Sequence, residues 1–173
     1  ELQQTSEGSE ILSSAKRVIL TDLILGLLVE MKPQFDEWNI KLRKDLKPST
    51  QVTGDEVHLK AVFRELLKNA VDALAGAEDR DLFIASKDMG AKIQVVIQDS
   101  GKGIPSADLN RVFDPFFTRK DESEHKGMGL SIAKSVIETH GGKVAIESGV
   151  NSGTRMLVTL PMRNASVASP EED

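Results

Sequence analysis

The chain has 173 residues, 39% hydrophobic and 28% charged, which fits one soluble domain with attached ends. Its net charge of -5 weighs against non-specific nucleic-acid binding. The lack of cysteine excludes disulfides and thiolate chemistry, and three His make a His-rich metal site a poor fit.

The longest apolar run, Leu23 to Val29, is too short to span a bilayer, and no signal peptide is visible. With Glu1 in first place, the chain reads as a cytoplasmic piece of something longer. Residues 1–17 are polar, then weakly helical, with Ile11, Leu12 and Ala15 as apolar points. They suit a tag remnant or the end of a helix from a preceding domain. Thr21-Asp22 reads as an N-cap for a helix carrying Leu23, Leu27, Leu28 and Met31. That helix passes Pro33 only with distortion. Trp38 to Leu46 alternates as a strand, and Gln51 to Thr53 forms another short one.

Asp55 reads as the N-cap of the strongest helix. Leu59, Val62, Phe63, Leu66, Leu67, Ala70 and Leu74 recur on one broad stripe, and Gly76 ends it. Asp81 to Ala85 and Ala91 to Gln98 predict a hairpin turning at Asp88-Met89-Gly90. Pro105 opens a short helix through about Val112. Asp114 to Gly127 is polar and broken, a loop long enough to suggest function or disorder. Gly129 to His140 is a helix stopped by Gly141-Gly142. Lys143 to Glu147 and Thr154 to Leu160 form a second hairpin. The tail from 162 to 173 is small and acidic, and reads as disordered.

Three groups of residues stand out against this frame. Asp99 shares the parity of Ile93, Val95 and Ile97, so it belongs to the apolar face of its strand. A carboxylate there needs a partner. Gly101 and Gly103 follow it and permit a tight turn and a close approach. A β-turn headed by Asp accounts for this stretch; so does a carboxylate accepting an N–H from a ligand lying on the glycines. Glu65, Asn69 and Asp72 line one stripe of the strong helix, away from its apolar face. A solvated face explains the charges, but Asn69 is a mediocre helix former in mid-helix. A neutral oxygen beside carboxylates suits Mg²⁺ that keeps its waters and also touches phosphates. Gly127-Met128-Gly129 precedes a helix whose free N–H groups and dipole attract phosphate. Lys120 and Lys126 add charge nearby or form a solvated lid. Phe113, Phe116 and Phe117 supply three of the chain's six Phe and anchor that loop. Neither the Walker A pattern nor the protein-kinase motif set is present.

In order, E-x-x-x-N-A-x-D, D-x-G-x-G, F-D-P-F-F-T-R-K, G-x-G-L and G-T resemble the GHKL ATPase/kinase superfamily. The third segment is similar to the F box of sensor histidine kinases, within their catalytic and ATP-binding domain. The resemblance covers about Leu20 to Pro161. It implies an α/β sandwich: a mixed, mostly antiparallel sheet covered on one face by three helices. It also implies a catalytic domain over 18–161, with 1–17 left from a helical dimerisation and phosphoacceptor domain.

The resemblance carries roles onto matching positions. Asp99 accepts from the adenine amino group, with Gly101, Gly103, Ile104 and Thr154 near the ring. Asn69 holds Mg²⁺ bridging the ATP phosphates, with Asp72 close by. Gly127, Gly129 and Leu130 start the phosphate-facing helix, and Thr118, Lys120 and Lys126 belong to the lid. Glu65 is the candidate base or water-positioning residue. His125 stands where the family often has the first of three glycines. Position 65 is Asn in many sensor kinases, and Glu both in others and in the mismatch-repair, gyrase and chaperone ATPases. It does not separate transfer from hydrolysis; the F box favours transfer.

The implied function is transfer of the ATP γ-phosphate to a histidine on an upstream domain, with a response-regulator receiver as indirect partner. None of His58, His125 and His140 lies in an acceptor motif. His58 and His140 read as structural, the latter favoured in its charged form by a helix C-terminus. The fragment itself contacts neither nucleic acid nor membrane, although the parent protein is open to an inner-membrane anchor. A stand-alone ATPase and a nucleotide-holding module that sequesters a partner are the other readings.

Overall fold

The computed structural model describes residues 15–48, 51–115, 117 and 129–162. Strand β1 (Lys16–Ile19) runs straight into helix α1 (Leu20–Glu37). Strands β2 (Lys41–Asp45) and β3 (Gln51–Gly54) precede helix α2 (Glu56–Ala73). The β4 (Asp81–Asp88) and β5 (Lys92–Asp99) hairpin comes next, then the single turn α3 (Ser106–Leu109). Helix α4 (Leu130–Thr139) and the β6 (Lys143–Ser148) and β7 (Thr154–Pro161) hairpin complete the described fold.

Five strands form one sheet in the order β2-β4-β5-β7-β6, with β2 parallel to β4 and the other neighbours antiparallel. β1 and β3 pair separately as a two-stranded antiparallel ribbon. Period-two alternation gives the large sheet one apolar face. Register then stacks that face into rows: Ile84, Ile97, Met156 and Ile146 form one, and Ser86, Val95, Val158 and Val144 the next. The helices cover this face. Leu59, Val62, Phe63, Leu66 and Leu67 of α2 are fully buried, with Leu27 of α1 and Ile137 of α4 beside them in one core. The fold is the mixed-sheet α/β sandwich that the motif order implied.

α2 follows its periodicity closely. The Asp55 carboxylate caps it by accepting the His58 backbone N–H at 2.9 Å, and the chain leaves through Leu74 and Gly76, whose φ is +76°. Several local expectations change. Lys16 and Arg17 lie in β1, not in a helical leader, because pairing with Gly54 and Thr53 orders them. Thr21 does not cap α1: the helix already begins at Leu20, and the buried Thr21 hydroxyl donates to the Lys47 carbonyl. α1 runs past Pro33 to Glu37. Both Pro33 and Val29 are exposed, so the Val29 carbonyl that loses its helical partner is open to water. β2 is shorter than its alternation suggested, since Trp38 and Asn39 still belong to the turn closing α1. α3 stops at Leu109. The 163–173 tail and residues 1–14 lie outside the described residues.

Candidate functional site

The end of β5 holds the least ordinary group in the molecule. Asp99 is 5% exposed, on the face shared by Ile97 and Val95, as parity required. Its Oδ1 accepts the Gly101 N–H at 2.8 Å, and the Thr154 backbone N–H also bonds to the carboxylate. Burial raises its pKa from 3.8 to about 6, against the pull of those two N–H groups. The carboxylate is therefore held in place with acceptor capacity left over.

The glycines after it serve the chain's own packing. Gly101 lies behind Asp99, where an added Cβ would stand 2.3 Å from the Ala73 carbonyl oxygen. Lys102 donates its N–H to that same carbonyl at 3.3 Å. Gly103 has φ +70°, and a Cβ there would lie 1.8 Å from the Gly149 carbonyl oxygen. The loop is thus clamped between the C-terminus of α2 and the β6–β7 turn. Gly101 supports the cleft from behind, whereas Gly103 and Ile104 line it.

That cleft has a volume of about 270 Å³. α2 contributes Asn69 and Asp72, β5 Asp99, β7 Thr154, and the start of α4 Gly129 and Leu130. Glu65 sits one turn before Asn69, its Oε1 3.5 Å from the Asn69 Nδ2, outside the lining itself. Gly129 is the N-cap of α4, and its carbonyl takes the Ile132 and Ala133 N–H groups. Thr118, Lys120, Lys126 and Gly127 lie outside the described residues.

Sequence reasoning passed over the apolar walls. Leu66, Ala70 and Ala73 line the cleft from α2, and Ile146 and Met156 from the sheet. Their pattern is indistinguishable from core patterning, although two alanines a turn apart beside Asn69 were a usable hint of space. Phe117 and Asp114 also line it, and Arg111 lies over the Phe117 ring at 5.0 Å. Phe113 packs under Lys134 of α4 at 5.4 Å, the anchoring role expected of it.

The two described histidines sit at the other end of α2. His58 Nδ1 is 2.8 Å from the Asp55 carboxylate. His140 Nδ1 is 2.7 Å from the Val136 carbonyl, and Nε2 accepts the Asp55 N–H at 3.0 Å. With Nε2 accepting, Nδ1 is the ring nitrogen that donates to the Val136 carbonyl.

A buried carboxylate, a polar helix stripe and an open helix start converge on one cleft. Residues 54–164 match the family described as histidine kinase-, DNA gyrase B-, and HSP90-like ATPases. This chain belongs to that family. Sensor protein FixL of Bradyrhizobium diazoefficiens is 37% identical to this ATPase-family chain over 130 residues, 72% of this chain and 25% of that protein. The chain spans about a quarter of the length of the curated relatives it matches. The solved catalytic domain of histidine kinase ThkA superposes with a TM-score of 0.75 at 29% identity, covering 85% of this chain and 95% of that one. ThkA in complex with response regulator protein TrrA matches at 0.71 and 28% identity, over 86% of this chain and 42% of that one. ATP binding follows from the family.

Proposed function

We propose that this domain is the ATP-binding catalytic part of a sensor histidine kinase and transfers the γ-phosphoryl group to a histidine on a separate upstream helical domain. The observation that carries the reading is Asp99: a buried carboxylate with spare acceptor capacity, aimed into a cleft that fits a purine between Ala70, Ala73, Ile146 and Met156. The adenine amino group donates to it. The Gly129 end of α4 faces the phosphates. Glu65 beside Asn69 orients the reacting groups.

The donor set also fits Mg²⁺. Among the described residues no cluster of three or more acidic, His or Cys side chains forms a cage. Mg²⁺ shared with phosphates and waters takes one or two protein oxygens, and the Asn69 carbonyl supplies one. Bound there, the ion neutralises charge on the phosphates.

His58 and His140 cannot be the acceptor in this arrangement. His58 lies 11 residues before Asn69, about 16 Å along the α2 axis, and both rings are tied to Asp55. His125 lies outside the described residues and in no acceptor motif; on this reading the acceptor belongs to another domain, and 18–161 acts as the catalytic unit upon it. The ThkA–TrrA complex favours a receiver domain as the eventual phosphate recipient. Among the described residues no helix is long and apolar enough to cross a membrane. We place the domain on the cytoplasmic side, where ATP is found.

The test mixes the domain with Mg-ATP labelled at the γ-phosphate, with and without an added helical acceptor domain. Acid-labile label appears on the acceptor alone. Steady ADP release without any acceptor would move the reading to hydrolysis assisted by Glu65. Stable label on the domain itself would overturn the separation of acceptor from catalyst.

A further inference from the structure

Ser148 ends β6 and took no part in the sequence reading of the site. Register puts it in one cross-strand row with Thr154, Asp99 and Leu82. Its Oγ meets three partners: the Ile104 N–H at 2.8 Å, the Gly153 carbonyl at 2.7 Å and the Thr154 Oγ1 at 2.8 Å. Counting hydrogens settles the directions. Ile104 can only donate, and the Gly153 carbonyl can only accept. A serine hydroxyl has one hydrogen, and Gly153 takes it. The contact with Thr154 then requires the Thr154 hydroxyl to donate to Ser148. Thr154 Oγ1 is left with lone pairs alone for the cleft it lines. Asp99, next in the row, also offers acceptor oxygen.

We infer that Ser148 is a positioning residue for base specificity: by consuming the Thr154 hydroxyl hydrogen, it makes the base-facing row all acceptor and selects a 6-amino purine over a 6-oxo purine. This rests on the reading that the base meets Asp99 and Thr154. Adenine presents N–H donors from its 6-position, which acceptors welcome. Hypoxanthine and guanine present a carbonyl oxygen there, which lone pairs oppose. Ser148 also ties the loop after Asp99, through Ile104, to the turn before Thr154, through Gly153. One hydroxyl thus fixes both the shape and the polarity of the base site. Freed from Ser148, the Thr154 hydroxyl can rotate and donate to a 6-oxo group, and the preference relaxes.

The experiment titrates ADP and inosine diphosphate calorimetrically into the wild-type domain, Ser148→Ala and Ser148→Thr. Wild type prefers ADP. In Ser148→Ala the ratio of the two dissociation constants falls about tenfold, the scale of one hydrogen bond's preference. Ser148→Thr keeps the hydroxyl and restores the ratio. A purely structural role for Ser148 would weaken both nucleotides alike and leave the ratio unchanged, which overturns the inference. Should Ser148→Ala fail to fold, Thr154→Val removes the hydroxyl that Ser148 orients and keeps its shape. It lowers the ratio part-way, and a wild-type ratio there also overturns the inference. Wild type binding both nucleotides equally would instead bring down the underlying Asp99 reading.

Discussion

Asp99 costs the folded domain stability at neutral pH. Its folded pKa of about 6 exceeds the unfolded 3.8, so between these values the native state binds the proton more tightly. Stability from this group is full below pH 4 and is lost as pH rises through 6. Above pH 7 the buried charge costs about 3 kcal/mol in the empty domain. Asp99→Asn removes that dependence. Its melting temperature relative to wild type therefore rises as pH increases from 5 to 7.5 in thermal scans without nucleotide; parallel profiles would refute the pKa assignment. At Asn69 the prediction concerns metal. Asn69→Ala weakens binding of Mg-ATP severalfold more than binding of ATP in excess chelator, measured by calorimetry. Equal losses would remove Asn69 from the metal site.

At the scale of elements, α2 links the two ends of the domain. Its C-terminal half carries Asn69 and meets the Asp99 loop at Ala73, and its N-cap Asp55 is latched to α4 by His140. Gly54 gives that latch room: a Cβ there would lie 2.5 Å from His140 Cδ2 and 2.9 Å from Leu59 Cδ1. Gly54→Ala is expected to lower unfolding free energy by about 1–3 kcal/mol. His140→Ala costs a similar amount by leaving the Asp55 N–H without its acceptor. Together they cost less than the sum, because truncation of the ring clears space for the new methyl; denaturant titration of all four proteins measures the coupling. A sum that is strictly additive would show that the ring does not crowd Gly54.

Elements whose order is local were legible in the sequence. α2 shows seven apolar positions on a helical period and a cap, and every one of those seven side chains is buried. The β4–β5 hairpin announces itself through alternation and through Gly90, whose φ is +87°. β1 was not legible, since four residues become a strand only by pairing with β3, some thirty-five positions away. Thr21 looked like a cap because the sequence does not show that it is buried beside Lys47. The site divided in the same way. Asp99 and Asn69 were conspicuous as polar residues in the wrong pattern. Ile146 and Met156 obeyed the strand pattern, and only register brings them to the cleft, with Ser148 behind Thr154.

For the whole molecule, one sheet face does two tasks. Most of it is buried under three helices, and its last row brings Asp99 and Thr154 to the cleft, with Ser148 bonded to Thr154 beside them. On the proposed reading, the reacting phosphate sits at the α4 end, open to an acceptor from another domain. Phosphoryl transfer depends mainly on positioning and charge stabilisation, so a separate acceptor domain needs only to dock. The catalytic domain alone is expected to bind nucleotide and to label itself negligibly, as acid-labile phosphate counting will show.

The most direct test of the account is calorimetric titration of ADP into wild type and Asp99→Asn at pH 7.5. The substituted amide sets a donor against the adenine amino group, leaving a mismatch of about 1–3 kcal/mol. Wild type binds, and the variant is expected to lose tenfold or more in affinity while remaining folded by thermal scan. Unchanged ADP affinity in a folded Asp99→Asn domain would contradict the account.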